Sequence, residues 1–306
     1  MLSFIIRRLG ATVIVLFGIS VLTFILIYAI PSDPARIIAG QHASLATIKE
    51  IRHNLGLDKP VPIQYIDYMG RLFHGNLGTS FIYNEPVTQL IMSRLGATVE
   101  LALGCWIAEL LIGIPLGIFT ARRARKPSDY VVSALALIAM SLPVFWLGLI
   151  LMYYFGFIHP WFPLGGNSGF TSLILPSLTY GVTGAAVYMR LLKSSMLEVM
   201  NQDYIRTARA KGAGENRIIW RHALRNALIP VITYGSIDIG TLLSGVILIE
   251  ATFNWNGLGM LAYQAIQQSD IPVIMGTVLL TAVLVVLFNL LTDIVYVFVD
   301  PRIRYD

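Results

Sequence analysis

Six stretches of this chain are long and apolar enough to cross a bilayer, and they constrain its fold more than any other feature. They cover residues 9–30, 96–120, 130–157, 173–189, 228–249 and 273–299. A helix crosses the hydrocarbon in about 20 apolar residues. Inside lipid, backbone N–H and C=O groups must be paired by the protein itself, which leaves helices or closed barrels. The composition agrees: 56% of the 306 residues are hydrophobic, 13% are charged and the mean hydropathy is +0.71. An ordinary soluble domain carries about 25% charged residues. The spacing predicts an all-α, polytopic membrane protein with six transmembrane helices and an ordered outer segment between helices 1 and 2. The fourth stretch is short and holds Pro176, Gly181 and Gly184, so its start is weakly marked. Arg7-Arg8 before the first run looks like the start of a signal peptide. The run is too long for one, and Ile30-Pro31-Ser32-Asp33-Pro34 lacks a small-residue cleavage site, so a retained first span is expected. The single cysteine, Cys105, excludes an internal disulfide and reads as a packing residue.

Charge sets the expected orientation. With both termini inside, the inner segments are 1–8, 121–129, 190–227 and 300–306. They hold Arg7, Arg8, Arg122, Arg123, Arg125, Lys126, Arg190, Lys193, Arg206, Arg209, Lys211, Arg217, Arg221, Arg225, Arg302 and Arg304, sixteen of the 22 Lys and Arg. The loops 158–172 and 250–272 hold none. Cytoplasmic loops are enriched in Lys and Arg, so the net charge of +5 records orientation rather than affinity for nucleic acid. The outer segment 31–95 reads as a compact cap. It has helical patterns at 47–55, 62–73 and 86–95 and a turn cluster at His74-Gly75-Asn76-Leu77-Gly78.

The basic block between the fourth and fifth spans carries the functional signal. A helix is expected from about Met189 towards Lys211, ended by Gly212-Ala213-Gly214. A second is expected from Glu215 to Leu228, with Arg217, Arg221 and Arg225 forming one stripe at i, i+4 and i+8. Such a block suits a docking surface; the alternative is an amphipathic pair lying against acidic headgroups.

Chemistry is sparse. None of the lysines follows a glycine, so there is no nucleotide-binding Gly-Lys-Ser/Thr loop, and neither a His-Glu-x-x-His nor a Gly-x-Ser-x-Gly motif occurs. His42, His53 and His74 share the outer segment and could meet at a metal, against the simpler reading of separate surface histidines. Glu100, Glu109, Asp238 and Asp293 lie in or near the spans. Of these, Glu109 and Asp238 are deepest, either lining a polar path, pairing with a second subunit, or bonded within the bundle.

Several stretches together resemble the permease subunit of bacterial ATP-binding-cassette importers of the oligopeptide, dipeptide and nickel group. They include Gly75-Asn76-Leu77-Gly78-Thr79-Ser80, Leu175-Pro176-Ser177-Leu178, Asp203 through Gly212, Arg221 through Pro230, Phe253-Asn254-Trp255-Asn256-Gly257-Leu258-Gly259 and Asp300-Pro301-Arg302. The resemblance runs nearly end to end. It implies that the region around 203–215 forms the coupling helix of the EAA motif, seated in a groove of a nucleotide-binding subunit. Asp203, Tyr204, Arg206, Thr207, Ala208, Arg209, Lys211, Gly212, Gly214 and Glu215 would form that contact. Ala208 and Gly212 match the motif's Ala-x-x-x-Gly, whereas Arg206 stands where the motif has Glu.

The resemblance also implies the division of the chain: a first helix over 1–30, an outer cap over 31–95, a permease core over 96–299 and a cytoplasmic tail over 300–306. The chain would form half of a pore for di- and oligopeptides in the bacterial inner membrane, with both termini cytoplasmic. Alternatives are nickel or a metal chelate as cargo, or a proton-coupled secondary transporter. The expected partners are a second homologous permease subunit, two ATP-binding subunits, an extracytoplasmic solute-binding protein and the lipid bilayer. No enzymatic activity, metal or cofactor is expected in this chain; ATP and Mg would bind to the partner subunits. Phe253, Trp255, Gly257 and Gly259 are expected at an outer gate or docking edge, or as an interfacial aromatic anchor.

Overall fold

The computed structural model describes residues 2–29, 34–39, 43–54 and 56–299, and these are helical nearly throughout. Three helices are long and apolar enough to cross a membrane: α5 (Val87–Arg122), α8 (Phe170–Met200), and the Ile271–Phe288 part of α15 (Ile271–Val299). Two bent pairs, Pro127–Ser141 with Val144–Ile158 and Glu215–Ala227 with Ile229–Leu243, bring the number to five if each pair counts as one span. The apolar stretch Gly10–Leu26 lies in α1 (Leu2–Ala29). Among the described residues, each of the six expected segments lies mainly on helix. The tail 300–306 and His42 lie outside the described residues, as does the side chain of Asp293.

The third segment is not one straight rod. α6 (Pro127–Ser141) and α7 (Val144–Met152) meet at 99°, and α7 runs on into a π-helical turn, Tyr153–Ile158. Pro143 disfavours helical backbone at Leu142 and lacks the N–H the helix needs; Leu142 has extended dihedrals. Further corrections concern the ends. α8 does not stop near Met189 but runs 31 residues to Met200, with Pro176 inside it. The helix expected from Met189 to Lys211 is therefore broken at Asn201-Gln202. The pattern at 86–95 is the first part of α5, not a separate helix.

The chain forms two compact units, one from Met1–Thr98 with Asn256–Val286, the other from Val99–Trp255 with Leu287–Asp306. The first unit also holds α2 (Pro34–Ala39), α3 (Leu45–Asn54) and α4 (Val61–Phe73). Tyr68 of α4 is buried with Met275 and Leu279 of α15, and Ile19 and Phe24 of α1 pack against this group. Tyr65 sits edge-on to Phe24 at 5.2 Å, and its hydroxyl lies 2.7 Å from Ser20 Oγ. Burial pushes the Tyr68 phenol up to about 12. A second cluster joins Val87, Leu90 and Ile91 of α5 to Leu258, Leu261 and Ala265 of α14 (Leu258–Gln267) and Val273 of α15. Asp270, buried just before α15, ties down the 80–82 loop. It accepts from Ser80 Oγ at 2.5 Å and from the Phe81 N–H at 3.2 Å.

In the second unit α5 and α8 approach through small residues. A Cβ on Gly113 would lie 2.7 Å from Tyr188 Cβ, and one on Gly117 2.9 Å from Leu192 Cβ. Glycines four apart let two helix backbones meet closely, which is how helices associate where lipid offers no hydrophobic drive. The N-terminal end of α6 is fixed by buried Asp129, which pairs with Lys193 of α8 and accepts from the Arg125 N–H at 3.1 Å.

Candidate coupling surface

Beyond α8 the chain turns at Asn201-Gln202 and enters α9 (Asp203–Ala210). Eight residues cannot hold a helix in isolation, so α9 depends on what it rests on. Ile205 is its single fully buried residue. It packs with Ile218 and Ala223, and Val199 and Met200 from the end of α8 close around them with Ala213. α9 ends in a glycine turn. Gly212 has φ +81°, its N–H donates to the Arg209 carbonyl at 2.9 Å, and the Ala213 N–H reaches back to the Ala208 carbonyl at 3.1 Å. This is the Schellman arrangement, which satisfies the orphan carbonyls of a helix end and favours glycine at the left-handed position. The coupling helix expected over about 203–215 is therefore shorter than that range, with Lys211 through Gly214 forming its turn.

The chain resumes as α10 (Glu215–Arg217), a π-helical turn (Ile218–Ala223) and α11 (Leu224–Ala227), then bends by 46° into α12 (Ile229–Gly245). Ile218, Ile219, Ala223 and Ala227 face inward, whereas Arg217, Arg221 and Arg225 are exposed as one side of the run. Arg209 Nε donates to Glu215 Oε1 at 2.8 Å, closing the turn. That hydrogen bond holds the Glu215 carboxyl below the usual range. Asn226 Nδ2 donates to the Tyr204 hydroxyl at 2.8 Å, and Arg122 Nη2 from the end of α5 donates to Asn216 Oδ1 at 2.9 Å. Arg206 sits 3.4 Å from Asp203, and Thr207 Oγ1 bonds the Asp203 carbonyl.

All ten expected contact residues thus fall on one compact hairpin. Tyr204, Arg206, Thr207, Ala210, Lys211, Gly212 and Gly214 are exposed, and Ala208 is half-buried. The exposed small residues leave backbone within reach of a partner, with charges on either side. Sequence reasoning missed the Ile205–Ile218 seat. Its signal is an isoleucine flanked on both sides by polar residues in a helix this short.

The remaining expected residues lie elsewhere. Glu109, 1% exposed, meets the carboxyl of buried Asp238. Asp238 Oδ2 accepts from the Tyr188 hydroxyl at 2.7 Å, and that hydroxyl accepts from Trp106 Nε1 at 3.1 Å. The two acids are therefore together, in a network linking α5, α8 and α12. Gly184 makes room for them: a Cβ there would land on Glu109 Oε1. Phe253 and Trp255 are both 1% exposed, Phe253 against Gly148 of α7, so neither ring is presented to solvent. Gly257 precedes the first turn of α14, where the Leu258 N–H donates to Thr98 Oγ1 at 2.7 Å, and Gly259 is buried in that helix. Between α1 and α5, His53 pairs with Asp58 and His74 Nδ1 lies 2.8 Å from the Gly70 carbonyl. Among the described residues no three His, Cys, Asp or Glu converge as metal ligands.

A bundle of apolar helices with a structured basic hairpin after α8 marks a multi-pass helical membrane protein. The chain matches the binding-protein-dependent transport system inner membrane component over residues 113–305 and the N-terminal region of that component over residues 1–102. It is 40% identical over 316 residues to the oligopeptide transport system permease protein AppB of Bacillus subtilis (strain 168), covering 100% of both chains. It is also 40% identical over 305 residues to the glutathione transport system permease protein GsiC of Pectobacterium atrosepticum, again with 100% of both covered. It is 38% identical over 333 residues to the dipeptide transport system permease protein DppB of Alkalihalophilus pseudofirmus. A solved chain of the MetNI methionine ABC transporter, described as inward facing, shares the fold. Its TM-score is 0.58 at 22% identity, over 70% of this chain and 97% of that one. This chain belongs to the family of inner membrane components of binding-protein-dependent transport systems, the permease subunits of ABC importers. Members are transport components rather than enzymes, and they work with solute-binding and ATP-binding partners. The secondary-transporter alternative does not stand beside this membership.

Proposed function

We propose that this chain is one half of the pore of an ATP-driven importer of di- and oligopeptides, and that the α9 hairpin is where its motor grips. The seating of α9 by Ile205 against Ile218 and the end of α8 carries the reading. That seat connects an exposed surface of small residues rigidly to the longest uninterrupted span of the second unit. The names of the relatives support a peptide cargo: oligopeptides, dipeptides and the tripeptide glutathione. A second, homologous permease would complete the pore. Two ATP-binding subunits would dock inside on the hairpins, holding ATP and Mg, and a solute-binding protein would deliver peptide from outside.

Both termini would lie in the cytoplasm; the distribution of charge supports this, since sixteen of the 22 Lys and Arg would then face inward. ATP-driven closure of the motor would move α9, and helix motion would switch the pore between outward and inward access. Transport requires the two states to differ in affinity for the loaded solute-binding protein. The test is reconstitution of the full importer with its solute-binding protein and measurement of peptide-dependent ATP hydrolysis and uptake. Arg209→Glu is expected to uncouple the two without loss of the permease from the membrane. Uptake by this chain alone, driven by a proton gradient without nucleotide, would refute the reading.

A further inference from the structure

Five arginines line the hairpin and the run that follows it, and they divide into two groups. Arg206 and Arg209 are paired with Asp203 and Glu215. Arg217, Arg221 and Arg225 have no acidic partner among the described residues, and all three are exposed on the same side of the run from α10 to α11. Trp220 stands beside Arg221 on that side with 58% of its surface exposed, although Ile218 and Ile219 next to it are buried. One helical step further the exposed residues change character: Ile229 and Ile232 of α12 succeed Arg225, 39% and 49% exposed. Cationic side chains, then an indole, then apolar side chains occur in that order at a bilayer surface. Arg and Lys meet anionic headgroups there, and Trp occupies the boundary.

We infer that the Arg217–Trp220–Arg221–Arg225 face binds the headgroups of anionic lipid in the inner leaflet, while the small-residue face of α9 is left for the motor. Charge complementarity and the continuation of the face into the membrane-crossing helix α12 favour lipid over a protein partner. An acidic protein surface would match the arginines but not the apolar residues that follow. The site would bind the phosphate-bearing headgroup of a lipid such as phosphatidylglycerol and anchor the lower limb while α9 moves. The inference uses the inward orientation proposed above.

The experiment is quenching of Trp220 fluorescence in the complete importer, with its ATP-binding subunits, in vesicles containing brominated phosphatidylglycerol or brominated phosphatidylcholine. Trp220→Phe supplies the signal of every other tryptophan, this chain's four and those of its partners, for subtraction. The expected result is stronger quenching by the anionic lipid, weakened by high salt because exposed charges are screened. Each arginine near a charged leaflet contributes about fivefold, so Arg217→Gln/Arg221→Gln/Arg225→Gln should reduce the preference by tenfold or more. Arg221→Lys, which keeps the charge, should retain it. Equal quenching by the two lipids, or none by either, would overturn the inference. So would quenching that appears only after the ATP-binding subunits are stripped away, which would assign the face to protein. Retention of those subunits and peptide-dependent ATP hydrolysis, measured on the same preparation, separate failure of this inference from failure of the importer reading.

Discussion

Truncation of one buried side chain should disconnect the motor from the pore. Ile205→Ala removes three carbons from the seat formed with Ile218 and Ala223. At about 0.8 kcal/mol per buried carbon this is roughly 2.4 kcal/mol. The residual cavity brings the loss to about 3 kcal/mol, inside the usual range for such truncations. Because α9 has only eight residues, little else holds it, and the population of unseated hairpin should rise roughly a hundredfold. The rest of the second unit does not depend on Ile205, so the permease should still insert and purify. The assay is limited trypsin digestion of the reconstituted complex, since Arg206, Arg209 and Lys211 are exposed cleavage sites on the hairpin. Cleavage there should accelerate in proportion to the unseated population, while peptide-dependent ATP hydrolysis and uptake fall together. Ile205→Val, expected to cost about 1 kcal/mol, should give a small effect in the same direction. Normal uptake by Ile205→Ala alongside accelerated cleavage would refute the claim that the seat transmits force. Unchanged cleavage would refute the claim that it holds α9.

Three other substitutions test separate parts of the fold. Gly212→Val places a branched residue at φ +81° and should weaken the hairpin turn by about 1–2 kcal/mol. Gly212→Asn, which tolerates that conformation, should weaken it less, and hydrogen exchange at the end of α9 compares the two. Gly184→Ala should lower the thermal stability of the purified protein, because the new methyl group collides with Glu109; Glu109→Ala in the same chain should restore much of it. Asp270→Asn turns an amide towards donors that need an acceptor. It should cost about 1–3 kcal/mol in the outer part of the first unit, read as a lowered Tm.

Much of the helical framework is legible in the sequence, because bilayer thickness imposes a length on every crossing segment. The hairpin turn is legible for a similar reason. Gly212 sits where a helix must end in left-handed backbone, and only glycine adopts that readily. The elbow at Leu142-Pro143 is half legible. Pro143 is a breaker by its chemistry, yet hydropathy is uniform on both sides of it, so periodicity alone reads 130–157 as one rod. The encounters between distant residues are not legible. Nothing near Glu109 announces Asp238, and nothing near Ser80 announces Asp270, which lies 190 residues later. These pairings follow from helix packing, which one sequence does not encode locally. The burial of the Phe253 and Trp255 rings is likewise invisible in the sequence around them.

The uninterrupted length of α8 has a mechanical consequence. Its 31 residues span about 46 Å, and one end bears the hairpin. A tilt of roughly 5° about one end carries the opposite end about 4 Å, comparable to the thickness of a side chain. In the importer proposed above, a beam of this kind would turn a sub-ångström readjustment near its pivot into a displacement wide enough to open or shut a path for solute, without any helix having to unfold.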